Sequence, residues 1–369
     1  FWQTLGIVVL PMLTSSFNYY GLVLLAAFVA PGDLVWLIPH FLLAEMILFA
    51  MIALFVKWVL LGRVRAGRYP VYGSFYWRWL FCSRIIEEVT SLLDTIIGNT
   101  FLFTMWHRML GAKIGKRVLI DSHVHVHDLV SIGDDVVIHR HSVVQPAAIE
   151  NGMLVLGEVC IGNRCVVAPR GFVAPGAKVP ADTEVGPMST TNPGNSSSMN
   201  IINEENRPIS IPYQWCWHLF LGFPFLFLMN GLPLMVQYVG ITWIYQNFSI
   251  WVALVIVPFF FHFGLTEFSF FTVVMTKWIM VGKFRAGPLG TKNRGWDDFC
   301  GWFMERLTHN ANFEKGMKQW SNSEWLSIKY RMLGANIGKR VNIDYFDLVE
   351  TDLITVGDYS MFGSEVKML

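Results

Sequence analysis

The chain has 369 residues, 53% of them hydrophobic and 15% aromatic, and a formal net charge of +1. That balance points to lipid contact and excludes the basic surplus that a nucleic-acid partner requires. Its five cysteines, Cys82, Cys160, Cys165, Cys216 and Cys300, are odd in number and scattered, which excludes a disulfide framework and fits a reducing compartment.

From residue 1 to 56 the only formal charges are Asp33 and Glu45. At about 20 residues per crossing this stretch holds two spans, and it predicts a transmembrane hairpin over 1–56 with helices near Leu5 to Ala30 and Val35 to Val56. No basic segment precedes it, so a removable signal peptide does not fit. Over 57–112 the aromatics Tyr69, Tyr72, Phe75, Tyr76, Trp77 and Trp79 mix with Arg68, Arg78 and Arg84, as in a segment lying at the headgroup level. Leu92 to Trp106 is too short to span and reads as an interfacial or capping helix.

The strongest periodic signal follows. A small aliphatic recurs every sixth residue at Ile114, Ile120, Val126, Ile132, Ile138 and Val144, and again at Ile161, Val167, Val173, Val179 and Val185. A period of six fits neither a helix nor a flat strand, and it predicts a left-handed parallel β-helix over 113–190, with turns of about 18 residues. The spacing of 17 between Val144 and Ile161 predicts an excursion within Gln145 to Val159, with Glu150, Asn151 and Glu158 as its polar residues. A linker rich in Asn, Ser and Pro covers 191–212. From 213 to 276 the only formal charge is Glu267, which predicts a second hairpin over 213–275, with helices near Trp215 to Tyr238 and Phe248 to Val274. A second interfacial segment over 276–335 leads to the start of another left-handed β-helix over 336–369. It stops short of the turns that a stable stack needs, so the chain reads as part of a longer protein. The expected fold class is thus membrane α-helical hairpins alternating with left-handed parallel β-helix (hexapeptide-repeat) domains.

These segments are duplicated. Lys57-Trp58, Gly62 and Arg65-Ala66-Gly67 recur as Lys277-Trp278, Gly282 and Arg285-Ala286-Gly287; the run Arg108 to Asp121 recurs as Arg331 to Asp344, and Asp128 to Asp134 as Asp352 to Asp358. The hairpin turns at Pro31-Gly32-Asp33 and Tyr245-Gln246-Asn247 lack Lys and Arg, whereas Lys57, Arg63, Arg65 and Arg68 follow the first hairpin and Lys277, Lys283 and Arg285 the second. The positive-inside bias places both β domains on the cytoplasmic side of an integral membrane protein, or its organellar equivalent.

Half of the ten histidines, His123, His125, His127, His139 and His141, fall within 19 residues. A register of 18 stacks His139 on Asp121 and His141 on His123, and a carboxylate beside an imidazole suits a general base. The alternatives are a solvated polar ladder and a metal site. The wide histidine spacing of a zinc-dependent relative is absent, and the corner between His125 and His127 spoils a local His-x-His-x-His set. Within the apolar stretches, His40-Phe-x-Leu-x-Glu45 recurs as His262-Phe-x-Leu-x-Glu267. A membrane carboxylate there is either functional or bonded to a neighbouring helix.

The order of hydrophobic hairpin, Lys-Trp-x3-Gly-x2-Arg-x-Gly, aromatic stretch, Arg-x-Leu-Gly-Ala-x-Ile-Gly and Asp-Leu-Val-x-Ile-Gly-Asp-Asp resembles the membrane C-terminal region of polylysine-synthetase-like (Pls-type) nonribosomal peptide synthetases. In that family an adenylation domain and a carrier domain precede membrane helices alternating with tandem domains implicated in joining amino acids; this chain carries neither an adenylation signature nor a carrier serine motif. The resemblance implies an acyltransferase-like, amide-bond-forming activity that uses a phosphopantetheine-type thioester donor on a carrier protein domain. The competing expectation is a non-catalytic structural or assembly subunit that docks other subunits of a membrane complex. Either way the partners include the lipid bilayer and no nucleic acid.

Overall fold

The computed structural model describes residues 34–191, 199–201, 217–284, 294–345 and 350–363. The chain forms two compact units, Phe1–Phe28 with Leu42–Trp215, and Val29–Phe41 with Cys216–Leu369. The expected helix Leu5 to Ala30, the Pro31 turn, Cys216 and most of the 191–212 linker lie outside the described residues.

Helix α1 (Leu34–Val56) continues as a π-helical turn over Lys57–Leu61 and stops at Gly62, whose φ of 64° suits a residue without Cβ. It is apolar on all sides, and Met51, Phe55 and Val59 are each more than 60% exposed, a surface that calls for lipid. Strand β1 (Gly67–Pro70) follows, then helices α2 (Ser74–Ile97) and α3 (Phe101–Met109). Helix α2 buries Ile85, Val89, Leu93 and Ile97, one face at four-residue intervals. Its aromatic start is partly core, with Tyr76 buried and Tyr69 stacked on Phe75 at 4.1 Å.

Short strands then run β2 (Lys113–Ile114), β3 (Leu119–Ile120), β4 (His123–Val124), β5 (Val130–Ile132), β6 (Val137–Ile138) and β7 (Val143–Val144). A hairpin of β8 (Ala147–Glu150) and β9 (Met153–Leu156) interrupts them. After it come β10 (Val159–Ile161), β11 (Val166–Val167), β12 (Phe172–Val173), β13 (Lys178–Val179), β14 (Thr183–Val185), β15 (Thr190–Thr191) and β16 (Met199–Ile201). The chain visits three parallel sheets in turn, ordered β13-β10-β5-β2, β14-β11-β6-β3 and β15-β12-β7-β4, with β16 antiparallel beside β14. In each two-residue strand the second side chain points inward: Ile120, Ile138 and Val167 are fully buried neighbours across one sheet, Val124, Val144 and Val173 across another. Exposed corners hold left-handed residues such as Arg117 and Asp135, which are ion-paired at 2.5 Å, a contact worth little at the surface. The excursion expected over Gln145 to Val159 is the β8–β9 hairpin; it turns at Asn151-Gly152, both with positive φ, and pairs antiparallel with β1.

In the second unit, helix α4 (Phe223–Asn247) extends from a π-helical turn at Trp217–Gly222, and α5 (Ile250–Phe259) leads through another into α6 (Leu265–Thr276). Helices α7 (Arg294–Thr308), α8 (Ala311–Lys318) and α9 (Glu324–Met332) follow, then a parallel pair, β17 (Asn336–Ile337) and β18 (Thr355–Val356). Helix α8 lies close on α6, where a Cβ on Gly316 would come 2.9 Å from the Thr266 carbonyl. Phe270, Phe299, Phe303 and Tyr330 fill the core between these helices.

These findings overturn the expected fold class of membrane hairpins alternating with left-handed β-helices. Two hairpins require four spans, and among the described residues two helices are long and apolar enough to cross a membrane, Leu43–Leu61 and Trp217–Asn247. The architecture is mixed α/β, with parallel sheets of short strands beside packed amphipathic helices, and the second unit has a two-stranded parallel sheet among helices of 8 to 25 residues. Periodicity identifies buried positions; it does not count the helices packed around them.

Candidate functional site

The duplicated motif builds a lock. Lys57, the first residue of the π-helical turn after α1, pairs through Nζ with Asp128 Oδ1 at 3.0 Å, and both side chains are buried. Asp128 Oδ2 accepts the Val64 amide at 3.2 Å. The Lys57 ammonium stands 3.4 Å from the centre of the Trp58 ring, whose Nε1 donates to the Met109 carbonyl at 3.1 Å. Gly111, at φ 112°, leaves the space that Asp128 fills, and any Cβ there would collide with the carboxylate. The second unit repeats each part: Lys277 pairs with Asp352 at 2.7 Å, Asp352 accepts the Phe284 amide at 3.1 Å, and Trp278 Nε1 donates to Met332 at 2.9 Å. Recurrence of Lys, Trp, Gly and Asp at these spacings is accounted for by this tether between a helix end and the 3-10 turn that precedes a strand.

Beside the lock the first unit has a feature that the second lacks. His107, from α3, and His127, from the short 3-10 turn before β5, are buried, with His127 Nε2 2.9 Å from His107 Nδ1 and the rings stacked at 5.0 Å. In the second unit Tyr330 stands where the duplication places His107, and Thr351 precedes Asp352 as His127 precedes Asp128. His127 borders a cavity of about 280 Å³, whose walls include Trp79, Ser83, Thr90 and His125, with Arg84 and Glu87 paired at its exposed edge.

Burial holds the His127 imidazole well below its ordinary value of 6.5, and His107, His125 and Lys57 push it the same way. The unfolded chain therefore binds a proton that the folded chain refuses. Stability from this group is fully present above about pH 6.5 and falls as pH drops toward the folded value, with a slope of up to about 1.4 kcal/mol per pH unit. Thermal denaturation of the wild type and His127→Gln between pH 7.5 and 5 should show the variant's acid slope shallower by about one proton. Parallel slopes would contradict a buried neutral His127.

The residues singled out in the sequence are distributed as follows. Asp121 and His139 share a register: Ile120 pairs with Ile138, and the Asp121 amide donates to the Ile138 carbonyl at 2.9 Å. His139 is exposed, yet protein crowded about its ring disfavours the charged form, against opposing pulls from Asp121 and Glu184. His141 occupies an exposed left-handed corner at φ 56°. The expected stack of His141 on His123 is corrected, because His123 pairs with Val143, 20 residues on, while the other two sheets keep 18. Val124 takes the buried place expected of Val126, which has φ 46° and leads into the 3-10 turn; two residues have moved from one corner to the next. The His123 side chain lies outside the described residues.

Of the two acids read as intramembrane, Glu45 is buried in α1, within a candidate span. Glu267 lies outside both candidate spans, and its Oε1 accepts from Gln319 Nε2 at 2.9 Å, Trp320 Nε1 at 2.8 Å and Lys329 Nζ at 2.8 Å. These three donors join α6 to the segment around α8 and α9. Among the described residues no cluster of three or more His, Cys, Asp and Glu side chains has the geometry to hold a metal ion. Cys82, Cys165 and Cys300 are buried free thiols, and burial pushes Cys82 up to about 11.

Sequence reasoning missed His107. It lies 20 residues before its partner and on a helix, outside any periodic pattern of the strands. The available signal was a difference between the copies, histidine against tyrosine at one duplicated position.

No family model matches the chain, and no solved structure matches it. Over 355 residues it is 26% identical to delta-poly-L-ornithine synthetase of Acinetobacter baumannii (strain AB307-0294), an alignment that takes in 86% of this chain and 25% of that protein. The chain thus spans a quarter of the length of the curated relative it matches.

Proposed function

We propose that this chain is a membrane-bound part of a peptide synthetase and forms amide bonds from carrier-bound aminoacyl groups. The observation that carries the proposal is the likeness to a poly-ornithine synthetase along most of the chain, since such a polymer grows by repeated amide formation. The donor is a phosphopantetheine-type thioester on a carrier protein domain. A neutral imidazole supports the step by taking the proton that the attacking amine sheds. His139, oriented by Asp121, is the base proposed from the sequence.

His139→Gln should leave folding unchanged, because the ring lies on an exposed face, and should lower amide formation from a supplied aminoacyl thioester by about 10² to 10⁴. Undiminished turnover excludes His139 as the base. Absence of thioester-dependent turnover in the intact wild type favours the assembly subunit instead. The basic flank Lys57, Arg63, Arg65 and Arg68 supports a cytoplasmic position for the parallel sheets; a cysteine introduced at exposed Arg164 should then resist an impermeant maleimide in sealed right-side-out vesicles, and ready labelling would reverse the assignment.

A further inference from the structure

The helix that leads into the parallel strands has two different faces in each unit. In the first unit the Asn99 amide donates to the Ile120 carbonyl at 3.2 Å, and Thr104 Oγ1 to the Val118 carbonyl at 3.0 Å. These carbonyls belong to β3 and its approach, and β3 is the end strand of its sheet, so α3 and the residues before it cover that end. The second unit repeats both bonds, Asn322 to Ile343 at 2.9 Å and Ser327 Oγ to Val341 at 3.4 Å. Phe103, Thr104 and His107 form the buried face of α3, and Leu326, Ser327 and Tyr330 that of α9.

The outer face is apolar in both copies. Met105 and Met109 of α3 are exposed, and so are Ile328 and Met332 at the same positions of α9. A turn earlier stand Leu102, half-buried, and its counterpart Trp325, 60% exposed. Steps of three and four residues set these side chains on one stripe. A helix that closes a stack of strands against water needs a polar outer face, and an exposed apolar stripe kept in two copies marks a surface that something apolar covers.

Continuity with the preceding helix identifies the cover. The Trp58 indole donates to the Met109 carbonyl and the Trp278 indole to the Met332 carbonyl, so each stripe ends against the last turn of that helix. On the candidate span Leu43–Leu61, Met51, Phe55 and Val59 form an exposed apolar row. At the offset that relates Lys57 to Lys277, Phe271, Met275 and Ile279 repeat that row and are exposed too. The residues differ between the copies while their apolar character persists. Row and stripe meet at an indole, the side chain that favours the boundary between acyl chains and headgroups, and exposed Arg63 and Arg65 follow where phosphates would lie.

We propose that α3, and α9 in the second unit, lies along the membrane surface with its stripe inserted among lipid acyl chains just below the headgroups, so that the end strands of each unit rest on the bilayer through this helix. The assignment rests on the membrane-bound part of the reading above and is independent of amide formation.

Spin-label accessibility of the intact chain in vesicles of phosphatidylcholine and phosphatidylglycerol tests the seat. Nitroxides are attached through Met105→Cys, Met109→Cys or Ile328→Cys, and the unsubstituted protein treated in the same way is subtracted. Val59→Cys is the lipid reference, and Arg164→Cys, at an exposed corner, is the water reference. Labels at Met105, Met109 and Ile328 should collide several-fold more often with dissolved oxygen than with a water-soluble nickel chelate, as at Val59, and the order should reverse at Arg164. These side chains lie outside the buried core, so each variant should melt with the wild type in detergent; one that does not is replaced by Leu102→Cys or Trp325→Cys on the same stripe. Nickel access at Met105 and Met109 equal to that at Arg164, with Val59 in lipid, overturns the seat and leaves the membrane-bound reading standing. Nickel access at Val59 as well overturns both. Shielding of Met105 and Met109 from both reagents means that protein, a second copy or another segment, covers the stripe, and this also overturns the proposal.

Discussion

Asp128→Ala should destabilise the first unit by about 3 to 5 kcal/mol, the usual effect of removing one partner from a buried ion pair. The Lys57 ammonium then faces the Trp58 ring at 3.4 Å with no carboxylate, and the Val64 amide loses its acceptor. Asp128→Asn separates the two losses, since an amide oxygen can still receive the Val64 N–H. Lys57→Met combined with Asp128→Leu should recover much of the deficit, because replacing both charges leaves no buried ion unpaired. Thermal denaturation in detergent micelles measures each. A loss below about 1 kcal/mol for Asp128→Ala would show that the pair behaves like a surface contact and that the duplicated motif has some other cause. Asp352→Ala should reproduce the effect in the second unit, where the Lys277 and Asp352 side chains are as deeply buried.

The sequence makes the buried column of the parallel sheets legible and leaves its surroundings illegible. Ile120, Ile138 and Val167 stack as the six-residue beat predicts, because each inward side chain must meet its neighbour in the next strand. The beat fails at Val126, since a corner shortened by two residues and a turn lengthened by two leave the total unchanged. It also carries no information about the helices. Weighing the aromatics and arginines between Arg68 and Arg84 together draws attention to a headgroup-level segment and away from Ile85, Val89, Leu93 and Ile97, which mark the buried face of α2 at four-residue steps.

The candidate site divides in the same way. His139 and Asp121 are legible as neighbours because a fixed register joins them; His107 is illegible because a helix brings it to His127 through tertiary packing. The difference between the copies is more informative here than their likeness. Shared residues, Lys57 with Lys277 and Asp128 with Asp352, form the lock. Unshared ones, His107 and His127 against Tyr330 and Thr351, lie beside it, and in the first unit they border a cavity.

The parallel sheets themselves face the most severe test at Ile138. Its side chain is 1% exposed between Ile120 and Val167, so Ile138→Asp places a carboxylate among aliphatics with no donor to receive it. Truncation to alanine at such a site costs about 2 to 5 kcal/mol from lost packing, and an unpaired polar or charged group adds several more unless it takes up a proton. Total stabilities of about 5 to 15 kcal/mol leave little after that loss, so the expected result is disappearance of folded protein from detergent extracts. Val137 precedes it in the same two-residue strand and is half-buried, with its side chain directed outward. Val137→Asp should therefore cost far less, since water can still reach the carboxylate. Equal yields and equal melting temperatures for the two variants would mean that the inward and outward faces of this strand are wrongly assigned, and with them the register that aligns Asp121 with His139.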